Sequence, residues 1–516
     1  MQNNEGSRVI STLKNTGMGL VVKLITLITN FGIRTLFIYY LGIEYTGVSS
    51  VFKDVLTVLS FAELGIGSAI TYALYKPIHD RDYRQIARLM GLYKKAYRII
   101  AVTVLSIGIC LVPFLEKLVT NVPSVKESLV LIYLLYIIDT TVSYLLIYKS
   151  TLLTANQKSY IISIVTVGVT IFRTIAQAIV IVVLRNFVAY LIITISFTFI
   201  QNLIISKIAD MHYPEIAKYK DETLSADERK GIFADIKALS LYKISGTVLN
   251  GTDSLIISSM LGAGIVGYTS NYTMIITELY NLMLQFLNAV TASVGNMVAS
   301  KDKKRQVDMF VIMNFVCEVF FSICTVCLYC LLNEFVGEIW LGQDYVISKV
   351  VVLFLCLDFY LKGNATIVNS FRNANGLFVQ GQYRPVIMAV INIIVSIVAV
   401  KLIGLPGVFL GTVVSRVSTQ VWYDPLILYK YGFEKSVKNY YINYIKWFMV
   451  VVVSAGTSIY INSMFKINFS ILSFIVHGLN CIVWTLVFIL AFFGKSDQIK
   501  SVITYINTIT KRIWKR

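Results

Sequence analysis

The chain has 516 residues, of which 56% are hydrophobic and only 14% charged, with a net charge of +18 and a mean hydropathy of +0.72. A soluble globular chain is nearer a quarter charged because its surface faces water, so this composition excludes an ordinary soluble domain and points to a surface in lipid. The positive charge does not imply a nucleic-acid partner, because the basic residues fall between apolar runs rather than in a Gly-rich phosphate loop or an aromatic-interleaved basic stripe.

A helix crosses a hydrocarbon core of roughly 30 Å with about 20 residues, whereas a membrane β-barrel shows shorter alternating segments. The long runs here predict an all-α polytopic membrane protein of about fourteen spans. The first 16 residues are polar, and the run after them exceeds a signal-peptide core and lacks an A-x-A cleavage pattern, so it is expected to stay in the mature protein. Spans at 18–41, 48–75, 97–116, 128–148, 161–184 and 188–206 form a first six-helix bundle, residues 1–206. A linker, 207–238, carries Ser225 and Glu228 at capping-box spacing, which predicts the start of a short helix. Spans at 239–260, 267–297, 309–332, 350–371, 386–403 and 407–429 form a second bundle, residues 239–429. Two further spans, 442–462 and 470–493, occupy residues 430–493. The tail 494–516 places Ile499, Val502, Ile503, Ile506 and Ile513 at helical spacing among Lys500, Lys511, Arg512, Lys515 and Arg516, the pattern of an amphipathic helix on anionic headgroups.

An even number of spans puts both termini on one side, and the positive-inside rule makes that side the cytosol. Residues 76–98 hold Lys76, Arg81, Arg84, Arg88, Lys94, Lys95 and Arg98, and a second cluster is Lys301, Lys303, Lys304 and Arg305. Leu41-Gly42 with Gly47 recurs as Leu261-Gly262 with Gly267 at one common offset. Both motifs sit at the outer turn between the first two spans of a bundle, which predicts parallel repeats related by a pseudo-twofold axis along the membrane normal.

Several spans carry polar side chains at helical spacing. They include Lys23, Asn30 and Arg34; Lys53, Thr57, Ser60 and Glu63; Lys243, Gly246, Asn250 and Asp253; and Asn271, Glu278, Asn281, Gln285, Asn288 and Asn296. Asp358, Lys362, Thr366 and Asn369 form another stripe, and Arg416, Gln420 and Asp424 a further one. A lone polar residue in a span is interhelical glue worth about 1 kcal/mol, but continuous stripes on several helices predict a hydrated cavity between the bundles. Arg34, Lys53, Arg173 and Arg416 are candidate anion ligands, with Asn271, Asn281, Gln285 and Asn288 as amide walls. Glu63, Asp139, Asp253, Glu278 and Asp358 are candidates for proton relay or sodium coupling, and a structural hydrogen bond accounts for each equally well. Lys23, Lys243 and Asp424 lie near span ends where snorkelling is an equal account, and Asp358 and Lys362 are spaced to neutralise each other.

The strings FAELGIGSAITYALYKPI (61–78), FRNANGLFVQGQYRPVI (371–387) and GLPGVFLGTVVSR (404–416) resemble the Wzx-type oligosaccharide flippases of the multidrug/oligosaccharidyl-lipid/polysaccharide exporter superfamily, over most of the first twelve spans. The resemblance implies a multi-pass carrier of the bacterial cytoplasmic membrane that moves undecaprenyl-diphosphate-linked repeat units from the cytosolic to the outer leaflet by alternating access. It implies as partners a lipid-linked oligosaccharide, membrane lipids, and polysaccharide polymerase and chain-length machinery, and it supplies no catalytic motif. By the same resemblance the last two spans flank a groove for the isoprenoid tail. An unpaired sugar hydroxyl costs several kcal/mol in an apolar medium, so such cargo needs polar walls.

A drug or cation exporter of the same superfamily would favour an apolar, aromatic cavity with acidic residues. An enzyme reading rests on Asp80-Arg81-Asp82, a D-x-D match short enough to arise by chance, and His79, His212 and His477 show no metal or base pairing. Cys324, Cys327 and Cys330 have CxxCxxC spacing, but inside an apolar run without His or acidic partners they read as small side chains on one helix face. The expectation is a non-enzymatic carrier without cofactor or metal.

Overall fold

The computed structural model describes residues 2–63, 66–120, 125–219, 222–230, 232, 251–299, 303–377, 379–465, 470–496 and 498–504. Among these, helices account for nearly all the chain and no strand occurs. Nine helices among the described residues are long and apolar enough to cross a membrane, or ten when a pair bent by 41° at Leu111 counts as one span. Pro113, two residues past that bend, lacks the N–H that would continue the helix.

The chain divides into two compact units, Met1–Ser270 and Asn271–Arg516. The first contains α1 (Gln2–Tyr40), α2 (Ile43–Leu59), α3 (Ile66–Asp80), α4 (Tyr83–Cys110), α5 (Leu129–Ile147), α6 (Ser159–Ile179), α7 (Phe187–His212) and the start of α8 (Ala263–Ala299). Side-chain caps mark two of the starts. Asp82 accepts from the Gln85 amide at 2.9 Å and Asn186 from the Ala189 amide at 2.9 Å, each satisfying an amide that the helix itself leaves open. Helix α1 packs on α6, and α5 on both α4 and α7. Phe172, Ile175 and Val183 point outward from their span, as a lipid-facing stripe requires.

The two glycine motifs meet within this unit. Gly42 and Gly262 share nearly the same left-handed backbone, φ 106° and 109°, just before α2 and α8 begin. A Cβ on Gly47 would strike the Ala263 carbonyl, and one on Gly267 would sit 2.5 Å from the Ile43 carbonyl. The helices cross at backbone contact because neither carries a side chain there.

The second unit contains the rest of α8, α9 (Lys303–Glu334), α10 (Lys349–Ala374), α11 (Arg384–Ile403), α12 (Leu405–Ser418), α13 (Gln420–Ile427), α14 (Lys438–Met464) and α15 (Ser470–Phe493). Helices α11 and α12 form a tight hairpin: Gly407 and Gly411, one turn apart, lie against Ala399 and Ser396, where a Cβ on either would clash.

Two expected spans are interrupted. The run 48–75 divides into α2, a 3₁₀ turn at Ser60–Glu63, and α3, while 407–429 breaks at Thr419 between α12 and α13. An apolar window cannot see such breaks, because hydropathy averages over the residues whose backbone turns. The expected tail helix begins as foreseen, but Ile499 and Val502 pack on the Phe315, Trp447 and Phe493 cluster, so these two face protein rather than headgroups. Ile503 is exposed; Ile506 and Ile513 lie outside the described residues.

Candidate functional site

The first unit gathers three of the expected cations. Lys53 of α2 lies within electrostatic reach of Arg34 of α1, Arg173 of α6, Asp54 and Asp139, and Asp139 is also within reach of Arg173. Lys53 lies deep in the protein, and its side chain remains accessible. Arg34 donates to the Ser270 hydroxyl and sits beside Tyr136 and Tyr190. Three cations against two carboxylates leave a positive excess in a low-dielectric setting, which suits an anion able to supply the missing charge. Asp253 of this unit is half-buried, as is Glu278 of the second.

Glu63 belongs elsewhere. It lies in the 3₁₀ turn and accepts from the Tyr97 hydroxyl at 2.5 Å, at the end of a chain in which Tyr93 donates to Tyr97 at 3.2 Å. These groups line a cavity of about 700 Å³ that also exposes Tyr72, Tyr75 and Thr71 of α3. Non-helical backbone is tolerated at membrane depth where it borders a hydrated space.

In the second unit Arg416 donates through Nε to Asp358 and through Nη1 to Gln420 Oε1 at 3.0 Å. Asp358 ion-pairs with Arg416 and also lies within electrostatic reach of Lys362, which rests over the Tyr280 ring at 4.5 Å from its centroid. Asn281 and Gln285 keep partial exposure, whereas Asn271 is wholly buried and therefore lies in packed protein, not on an open wall. The side chains of Asn288 and Asn296, and residues Lys243, Gly246, Asn250 and Lys301, lie outside the described residues.

Two arrangements escaped the sequence reading. Asp424, for which snorkelling and a place in the polar stripe were equal accounts, is fully buried between Arg372 and Arg384, with Arg384 at 3.0 Å, so it anchors the 371–387 string from within. Both arginines were visible in that string, but no spacing rule links them to residue 424. Glu318, also fully buried, accepts from the Tyr360 hydroxyl at 3.1 Å.

The remaining motifs resolve into structure. Asp82 of the D-x-D match is the α4 cap already described. Cys327 and Cys330 turn toward Cys481 of α15. Ser225 and Glu228 form the expected capping box, with the Ser225 amide donating to Glu228 at 2.9 Å and the Glu228 amide to Ser225 Oγ at 3.3 Å. Nearby, Arg84 and Arg88 hold Glu222 at 2.6 and 2.9 Å; the bond from Arg84 in particular keeps its carboxyl below the usual range.

Fold and composition together define a multi-span helical membrane protein with a polar interior. Among solved structures the chain resembles the lipid II flippase MurJ in an inward closed conformation, with a TM-score of 0.63, 15% identity, and coverage of 93% of this chain and 98% of that one. It also resembles an inward-facing multidrug resistance MATE family transporter of the MOP superfamily (TM-score 0.60, 14% identity, 80% and 99% coverage) and the Vibrio cholerae MATE transporter VcmN in the bent form (0.54, 15%, 82% and 97%). At these identities the likeness establishes the fold. No protein-family model and no curated protein sequence matches the chain.

Proposed function

We propose that the protein is a flippase for undecaprenyl-diphosphate-linked oligosaccharide repeat units, moving them from the cytosolic to the outer leaflet of the bacterial cytoplasmic membrane by alternating access, with both termini in the cytosol. The observation that carries this reading is the cationic group Arg34, Lys53 and Arg173 around an accessible mid-span position. A charge at mid-bilayer costs about 2.5–3.5 kcal/mol even on the permissive scale, so the positive excess of three cations over Asp54 and Asp139 favours a recurrent anionic cargo. A diphosphate supplies two negative centres, and guanidinium groups match its oxygens in a bidentate fork. The fold shared with a lipid II flippase supports the same reading. The isoprenoid tail needs no polar path and stays in lipid while the headgroup crosses.

In the second unit Arg416 is held by the Asp358 carboxylate, and Asp358 is the coupling carboxylate of this scheme. Polysaccharide polymerase and chain-length machinery would take the product on the outer face.

The test is restoration of surface polysaccharide in a flippase-deficient strain. The unaltered protein should restore polymer, whereas Arg34→Ala and Arg173→Ala should abolish it while remaining in the membrane at normal levels. Normal polymer with both replaced would overturn the assignment. One observation favours a second reading, an organic-cation exporter: the tyrosine cavity carries a carboxylate, Glu63. Ethidium efflux by cells expressing the protein, without rescue of polymer, would establish that alternative.

A further inference from the structure

We infer that the tyrosine cavity of the first unit is the seat of the sugar moiety of the cargo, separate from the cationic group that takes the diphosphate; this rests on the flippase reading above. The direction of its hydrogen bonds carries the argument. Ser60 donates to the Thr57 carbonyl at 2.6 Å, Thr71 to the Gly67 carbonyl at 2.7 Å and Ser150 to the Ile147 carbonyl at 2.7 Å. Thr151 donates to the Tyr93 hydroxyl at 3.4 Å, and from there the chain runs through Tyr97 to Glu63. Each of these six hydroxyls spends its one hydrogen inside the protein and offers lone pairs to the space beyond. With the Glu63 carboxylate added, acceptors dominate the wall, the exposed Tyr72 and Tyr75 hydroxyls being its remaining polar groups, and an occupant rich in donors suits it.

That preference selects among ligands. A diphosphate carries acceptors and negative charge, so a carboxylate-bearing acceptor wall repels it. A quaternary ammonium ion has charge but no O–H or N–H to give. A sugar ring brings several hydroxyls, each able to donate, and an apolar C–H face. Tyr72 and Tyr75 meet that face: they are 75% and 51% exposed, with ring centroids 6.3 Å apart at 82°. Among the described residues no lysine or arginine lines the cavity, and its volume of about 700 Å³ is within the usual range of small-molecule sites, roughly 300–1,000 Å³. Lys53 lies ten residues before Glu63, across six residues of α2 and the four of the 3₁₀ turn, on the order of 15 Å of helical rise. A lipid-linked sugar of a few rings bridges such an interval, with its phosphates at one end and its sugars at the other.

The experiment measures binding of two probes to the full chain in nanodiscs: undecaprenyl diphosphate, and the same lipid bearing a neutral trisaccharide. The unaltered protein should bind the glycosylated probe more tightly. Tyr72→Ala and Thr71→Val should each weaken the glycosylated probe about tenfold more than the bare one, the value of one or two well-made contacts. Tyr72 is largely exposed, so its removal leaves the packed core intact. Equal losses for both probes would overturn the sugar assignment while leaving the flippase reading in place. Binding of neither probe, with ethidium bound instead and lost in Tyr72→Ala, would overturn both.

Discussion

Arg416 of α12 is joined to Asp358 of α10 by an ion pair whose side chains are 8% and 24% exposed. The two residues are 58 positions apart, and Gln420 completes the guanidinium's partners one turn further along. Removing the carboxylate strands a buried cation, which costs about 3–5 kcal/mol when fully buried; the partial exposure of Asp358 reduces this to about 1–3 kcal/mol. Asp358→Ala should lower the midpoint of thermal unfolding in detergent, and the double variant with Arg416→Ala should lose less than the two single losses combined. Strict additivity would show that the pair does not couple.

The Arg372–Asp424–Arg384 group has almost no exposure, so the same change there should be harsher. Asp424→Asn leaves two buried guanidinium groups without their counter-charge. A loss of about 3–5 kcal/mol is expected, read as poor recovery of folded protein by fluorescence-detected size exclusion. Recovery equal to the unaltered chain would remove the triad's anchoring role.

At the crossing of α2 and α8, Gly47→Ala places a methyl group against the Ala263 backbone carbonyl, which cannot swing aside as a side chain would. Overpacking of this kind costs about 1–3 kcal/mol. The thermal midpoint should fall, whereas Gly168→Ala, where a Cβ meets no neighbouring atom within 4 Å, should leave it unchanged or raise it.

The Glu222 carboxyl is held below its ordinary value by Arg84 and then Arg88. A depressed folded-state value means that the contact stabilises above the unfolded pKa, near 4.3, and is lost as pH falls through the lower folded value. Protease nicking near residue 222 should therefore rise on acidification below about pH 4.3. Glu222→Gln should raise nicking at neutral pH and flatten this dependence.

Much of the fold was legible because spanning a bilayer is a local property. Span edges expected at 128–148, 386–403 and 470–493 fall within two residues of α5, α11 and α15, since an unbroken apolar run must be helical to satisfy its own backbone in lipid. The interruption at Ser60–Glu63 was not legible, although Gly65 and Gly67 beside it were a signal of backbone freedom. Of the site, Arg34, Lys53 and Arg173 were legible as candidate anion ligands and Asp139 as a coupling candidate on different spans, and Lys53 lies within electrostatic reach of the other three. Glu63 was placed with the charges of its own stripe, yet it turns to the tyrosines of α4.

The amino-acid order alone determined that this is a helical membrane protein, where most of its spans lie and which faces of them are polar, because each depends on residues within a turn or two of one another. Tertiary structure decided which charge meets which. Arg416 with Asp358, Asp424 with two arginines and Glu63 with Tyr97 are contacts between helices, set by packing and by the need of every buried charge for a partner. Helical periodicity gives the direction in which a side chain leaves its own axis and carries no information about the helix waiting there.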